Sequence, residues 1–332
     1  MPVGRTNRRQ FIAGLGSAAA WPMVARAQQS TRPRRVVVLM GQAETDAGNA
    51  SRIAVFREEL QRLGWPEDHN IRIDYRWGDG QPGRLQTSAK ELIGLTPDVA
   101  VAESTAAVQA LRHEAPAIPI VFLQAGNPVG TGFVASLAHP GGNITGFTNF
   151  EPAMGSKWME LLKELAPDTA RIYTIFNPDT HTGQYWTALE TAAPSQAVEL
   201  IRAPVHNAGD ISHAIEEMVG EPNGGLLVVP DPFTITHRDL IVDLTARHHL
   251  PAVYPFGFFA RSGGLVSYGV DVVEDYRRAA SYVDRILRGE KAANLPVQAP
   301  TKFELLINLK AAKALGLEIP PSLLARADEV IE

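Results

Sequence analysis

The chain has 332 residues, 45% hydrophobic and 20% charged, with 31 Lys and Arg against 36 Asp and Glu and a formal net charge of −5. That length exceeds one ordinary core and favours two lobes. The mildly acidic balance argues against a nucleic-acid binder, which needs a basic face for phosphates. The absence of cysteine excludes disulfides, thiolate metal sites, cysteine nucleophiles and iron–sulfur clusters together.

Residues 1–27 read as an export signal. Arg5, Arg8 and Arg9 give a positive start, an apolar Ala- and Gly-rich stretch follows, and Ala25-Arg26-Ala27 is a small-x-small cleavage pattern. The apolar stretch is too short to span a hydrocarbon core of about 30 Å. Asn7-Arg8-Arg9-Gln10-Phe11-Ile12 resembles the twin-arginine export motif, with Asn in place of the usual Ser or Thr. Cleavage after Ala27 removes four arginines and no acid, which takes the net charge from −5 to −9. With no cysteine near that point, the expectation is release into the periplasm without a lipid anchor.

A regular alternation follows. Residues 36–40 form a continuous apolar run ended by Gly41, and Ile53, Phe56, Leu60 and Leu63 then recur at helical spacing up to Gly64. Ile71, Ile73, Tyr75 and Trp77 alternate with charged residues, as in a strand near a sheet edge. A helix over 82–95, a strand over 99–102, a helix over 105–113 and a strand over 118–123 complete the first half. Pro140-Gly141-Gly142-Asn143-Ile144-Thr145-Gly146 reads as a flexible crossover. The second half repeats the plan. Strands are expected over 171–176, 198–201, 226–229, 252–254 and 265–267, with helices between them. Val273, Tyr276, Ala280, Val283 and Leu287 then mark a long amphipathic helix ended by Gly289. In the tail, Phe303, Leu305, Ile307 and Leu309 alternate as a further crossover strand. Continuous apolar strands joined by helices mean parallel sheets covered on both faces. The fold class is therefore α/β, with two doubly wound parallel-sheet lobes.

In such sheets ligands bind beyond the carboxyl ends of strands. The residues there are Gly41-Gln42-Ala43-Glu44-Thr45, Glu103-Ser104-Thr105, Gly126-Asn127-Pro128, Asn177-Pro178-Asp179 and Pro230-Asp231-Pro232. Asn127, Asn177 and Asp231 each precede a proline, the order of a helix cap, and capping is the commoner role of such pairs. A helix N-terminus also presents free N–H groups to a carboxylate, and Ser104 and Thr105 add hydroxyls there. A ligand ammonium would need an acid: Glu44, Asp179, Asp231 or Asp271. From Tyr254, Phe256, Phe258 and Phe259, one or two side chains, Phe256 first, are expected to wall a cleft, the others packing in the core.

The chain has no GxSxG elbow after a strand, no GxxxxGK[ST] loop and no ligand-spaced histidines, and Gly14-Leu15-Gly16 lies in the export segment. No cofactor, metal or catalytic residue is expected. These features point to binding by lobe closure rather than to an enzyme.

Five stretches carry a family resemblance. They are Ile118-Pro119-Ile120-Val121-Phe122 with Asn127-Pro128-Val129-Gly130; residues 139–146; Gly263-Gly264-Leu265-Val266-Ser267-Tyr268-Gly269; Gly289-Glu290-Lys291; and the closing run from Pro300 to Glu329. Together they resemble the ABC-transporter substrate-binding family with the type I periplasmic binding protein fold, some of whose members take up aromatic amino acids such as tryptophan. The resemblance implies two lobes joined by a multi-strand hinge. They would comprise 28–147 plus 256–299 and 148–255 plus 300–332. It also implies cleft contacts near Ser104, Thr105, Asn127, Thr148, Asn177, Asp231 and Asp271, to which the post-strand positions add Gln42, Asp179 and Phe256. Residues 254–259, often charged in relatives, carry no charge here, which favours a more apolar wall. The function implied is capture of a small organic solute, an amino acid or aromatic acid. The solute would be handed to an inner-membrane permease driven by a separate ATPase, the protein acting as a monomer without nucleic acid. The alternatives are a periplasmic sensor feeding a kinase or chemoreceptor, and a hydrolase on a related fold.

Overall fold

The computed structural model describes residues 32–332 apart from positions 47, 150, 152, 182 and 184, so the expected export segment lies outside the described residues. Two α/β lobes are built on two separate sheets.

The first sheet comprises β1 (Arg34–Met40), β2 (Ile71–Trp77), β3 (Val99–Glu103), β4 (Ile120–Leu123) and β5 (Ile144–Phe147), all parallel, in the order β2-β1-β3-β4-β5. The inner strands are apolar on both faces, and the two-residue period sorts their side chains into two cores, while edge strand β2 alternates apolar residues with Arg72, Asp74 and Arg76. Val36, Val38 and Met40 meet Phe56 and Leu60 of α1 (Asn49–Arg62) and Tyr276 and Val283 of α10 (Val272–Leu287). Val37 and Leu39 face the other way, onto Leu85 and Leu92 of α2 (Pro82–Gly94) and Val108 and Leu111 of α3 (Thr105–Glu114).

The second sheet comprises β6 (Arg171–Phe176), β7 (Glu199–Pro204), β8 (Gly224–Val228), β9 (Ala252–Tyr254), β10 (Val266–Val270), β11 (Phe303–Asn308) and β12 (Glu329–Ile331). Its order, β7-β6-β8-β9-β10-β11-β12, repeats the second–first–third pattern of the first sheet and adds two strands. Only the β10–β11 pairing is antiparallel. One face is covered by α4 (Met154–Leu165) and α5 (Trp186–Ala192). The other is covered by α6 (Ala208–Val219), α7 (Pro232–Thr236), α8 (Arg238–Arg247) and α9 (Gly257–Arg261). The remaining helices, α11 (Leu309–Ala314) and α12 (Pro321–Leu324), lie in the tail. No helix among the described residues is long and apolar enough to cross a membrane.

Two features differ from the sequence reading. Residues 144–146, read within a flexible crossover, form with Phe147 the edge strand of the first sheet. Gly146 lies there at φ +152°, and a Cβ on it would stand 2.1 Å from the Phe122 carbonyl oxygen; the glycine that weakens the strand pattern is what lets the two strands approach. Residues 256–270, expected in the first lobe, pack on the second sheet. There Val266 and Ser267 pair with Val253 and Tyr254, and β10 continues onto β11. The first lobe regains the chain only at α10. The chain therefore crosses between lobes after β5, at Asp271, and ahead of β11. The first and third crossings are tied together: the Gln298 N–H donates to the Gly146 carbonyl at 2.9 Å, and the Thr148 N–H donates to the Gln298 carbonyl at 3.0 Å.

Candidate functional site between the lobes

In each sheet the connections diverge between the first strand and its third-strand neighbour, and this opens a crevice at the carboxyl ends. A buried acid spans each crevice. In the first lobe Glu103, the last residue of β3, accepts the N–H of Gly41, just past β1, at 3.1 Å on Oε2 and the Gln42 side-chain amide on Oε1. In the second lobe Asp231, beyond β8, accepts the N–H of Asn177, just past β6, at 2.6 Å on Oδ2. Its Oδ1 accepts the Phe233 N–H at 3.0 Å and the Thr180 hydroxyl. Burial raises the Glu103 carboxyl, with nearby Arg52 opposing. Burial pushes Asp231 up to about 6, against the lowering effect of the bonds from Thr180, Asn177 and Phe233.

The two acids look into one cavity. From the first lobe it is lined by Gln42, Glu103, Ser104, Thr105 and Gln124, and from the second by Thr180, Pro230, Asp231, Pro232, Ile235 and Phe256, with Asn149 at the first crossing. Ser104 opens α3 at φ +101°, a strained value for a side-chain-bearing residue, and its Oγ accepts the Ala107 N–H at 3.2 Å. The Thr105 hydroxyl accepts the Gly126 N–H at 3.0 Å. Three amide ends on the lining, Gln42 Oε1, Gln124 Nε2 and Asn149 Oδ1, are buried without a hydrogen-bond partner. Buried polar groups left unpaired cost on the order of 1–3 kcal/mol each, and these three ends face the cavity.

The lobes stand nearly shut over it. The cavity between them has a volume of only about 30 Å³. Gly80, after β2, lies so close to α7 that a Cβ on it would be 2.9 Å from Phe233 Cα. Buried Asp46 of the first lobe is ion-paired with Arg238 of the second.

Residues 43–331 match the model of the family described as ABC transporter substrate binding protein. The chain belongs to that family. The tyrosine-binding protein of Clostridioides difficile is 25% identical over 265 residues, covering 79% of this chain and 76% of that protein. A conserved domain protein from Vibrio cholerae shares 26% identity at a TM-score of 0.83. The ABC domain from Streptococcus pneumoniae in complex with L-Trp shares 22% identity at a TM-score of 0.82. Each of the two solved structures covers 90% of this chain and is itself covered completely.

In this substrate-binding protein the cavity gathers Gln42, Ser104, Thr105, Asp231 and Phe256 from the residues expected at a ligand site. The other expected positions serve elsewhere. Asn127 is a turn residue, its Oδ1 accepting the Gly130 N–H at 3.0 Å. The Thr148 hydroxyl donates to the Ala125 carbonyl at 2.7 Å. The Asn177 side chain accepts the Asp179 N–H at 2.8 Å, and only its backbone reaches Asp231. Asp179 is exposed beside His206 and faces α2 and α3 of the first lobe across a separate pocket, outside the cavity. Asp271 caps α10, accepting the Val273 and Glu274 N–H groups at 3.1 and 3.2 Å. Glu44 is exposed at the surface. The sequence reading passed over Glu103, Gln124, Asn149 and Thr180. Glu103 stood in an inspected post-strand run, and Gln124 is the first residue past β4, so applying the same positional rule to every strand would have found both.

Proposed function

We propose that this substrate-binding protein captures a small zwitterionic solute, an amino acid with an aromatic or apolar side chain, between its lobes. The observation that carries the reading is the cavity itself, with one buried carboxylate from each lobe and three unpartnered amide ends. Asp231, Glu103 and the amide oxygens of Gln42 and Asn149 suit an ammonium. The start of α3, the hydroxyls of Ser104 and Thr105 and the Gln124 amide nitrogen suit a carboxylate. Ile235 and Phe256 supply the apolar side. The tyrosine-binding relative and the L-Trp complex support this chemistry. Delivery would be to an import permease with a separate ATPase, the protein being exported to the periplasm by residues 1–27.

A thermal-shift series tests the reading. L-tyrosine, L-tryptophan and L-phenylalanine are compared with 3-phenylpropionate, which lacks the amine, and 2-phenylethylamine, which lacks the carboxylate. A ligand at 100 times its Kd adds about 2.7 kcal/mol of stability. At least one amino acid should raise the melting temperature while both truncated analogues leave it flat. A flat response to all three amino acids overturns the reading. Loss of uptake on deleting the permease would then distinguish import from sensing.

A further inference from the structure

Beside the cavity lies a second, larger chamber between the lobes, with about 480 Å³ open to the centre of a water molecule. Gly48, Ser51 and Arg52 line it from the first lobe, and Arg238, Phe258 and Arg261 from the second. Phe256 borders the cavity and Phe258 the chamber, and their rings stack at 5.3 Å, so this pair is the wall between the two spaces. With the lobes this near to shut the cavity is almost filled by its own lining, so a guest's polar end enters it as the lobes part, whereas the chamber already has room for the body of an organic solute.

The charge at that end of the chamber is unusual. Arg52 is only 1% exposed. Its guanidinium lies 5.1 Å from the centre of the Phe258 ring, and that of Arg238 lies 5.6 Å from it. Asp46 stands between the two cations and is ion-paired with both, but its Oδ1 lies 3.6 Å from Arg52 Nη1, too far for a hydrogen bond, and Glu103 lies near enough to feel the Arg52 charge. Arg52 Nη1 is buried with no hydrogen-bond partner. At the other end Arg261 is held by Glu329 at 2.7 Å, Asp271 is committed to its cap, and burial raises the Glu304 carboxyl. The donor left unpaired belongs to Arg52.

We propose that the solute reaches past the Phe256–Phe258 pair, its amino-acid end in the cavity and an anionic group at its far end paired with Arg52 in the chamber. The ligand class is an amino acid whose planar or apolar side chain ends in a carboxylate or similar anion. This assignment rests on the reading of the cavity as an amino-acid site.

Calorimetric titration of the full chain with L-phenylalanine and with 4-carboxy-L-phenylalanine at pH 7.5 tests it. The carboxylated compound should bind at least about 10-fold more tightly, the scale of one charge-assisted hydrogen bond. Arg52→Met should bring the ratio close to one, and Arg52→Lys, which keeps the charge but not the planar fork, should restore part of it. Equal affinities in the unmutated protein, or a preference for L-phenylalanine, overturn the proposal and leave the amino-acid reading standing. Binding of neither compound overturns that reading and this assignment with it. The ratio in the unmutated protein decides the matter even if Arg52→Met fails to fold.

Discussion

Asp231 sets the pH behaviour of the cleft. An unfolded aspartate loses its proton near 4, while the buried one holds it to about 6. Between those values the folded state binds more protons than the unfolded state, so the empty protein loses stability as pH rises from 4 through 6. Ligand binding runs the other way, because an ammonium beside Asp231 favours the carboxylate. Affinity should therefore be level above pH 7 and fall about tenfold per unit below pH 6. Titrations at pH 5 and 7.5, in buffers of differing ionisation enthalpy to count the released proton, check this; equal affinity at both pH values would remove Asp231 from ammonium recognition. Thr180→Val, which deletes a bond that lowers Asp231, should move the midpoint upward. Half of this site was legible in the sequence. Ser104, Thr105 and Asp231 stand where strands end, a rule that needs no coordinates. Thr180 lies beyond an Asn-Pro-Asp turn, and only the path of that turn brings its hydroxyl back to Asp231 while leaving Asp179 outside the cavity.

At the scale of elements, periodicity told which residues form strands and which helix faces are apolar, but not which sheet a strand joins. Nothing in Val266-Ser267-Tyr268-Gly269-Val270 marks one sheet over the other; only their backbone pairing with β9 and β11 assigns them to the second. The helix after them, α10, shows a cost that its apolar stripe concealed. Asp275, in its first turn, is 7% exposed among the packed helices, and burial lifts it to about 7 against the attraction of Arg278 at 3.7 Å. An unfolded chain would give up that proton near 4, so stability declines as pH rises between about 4 and 7, and the full penalty is present above 7. Asp275→Asn should raise the melting temperature by several degrees at pH 8, on the order of 2–4 kcal/mol, and change it little at pH 4. Melting curves at the two pH values check this; a destabilised variant at pH 8 would mean that the helix N-terminus and Arg278 outweigh burial.

For the whole molecule, closure depends on close approach between lobes as much as on chemistry in the cleft. Gly80 touches α7 across the gap and adopts φ +67°, a conformation that costs other residues roughly 1 kcal/mol. Gly80→Ala should lower stability by about that amount and hold the lobes apart. Small-angle scattering in saturating ligand should give a larger radius of gyration than the unmutated protein, and affinity should fall. Full compaction and unchanged affinity would show that the lobes close on ligand without that contact.

The β10–β11 pairing has a consequence for how the chain is made. The two strands are neighbours in the second sheet, yet α10 and the turn Ala292–Asn294 between them pack in the first lobe. Neither lobe is a continuous stretch of chain. During synthesis the first lobe waits for α10, and the second waits for β11 and β12. Most of each lobe is thus made before the segment that completes it. This departs from folding one uninterrupted segment at a time, and it makes the second lobe depend on β11 and β12.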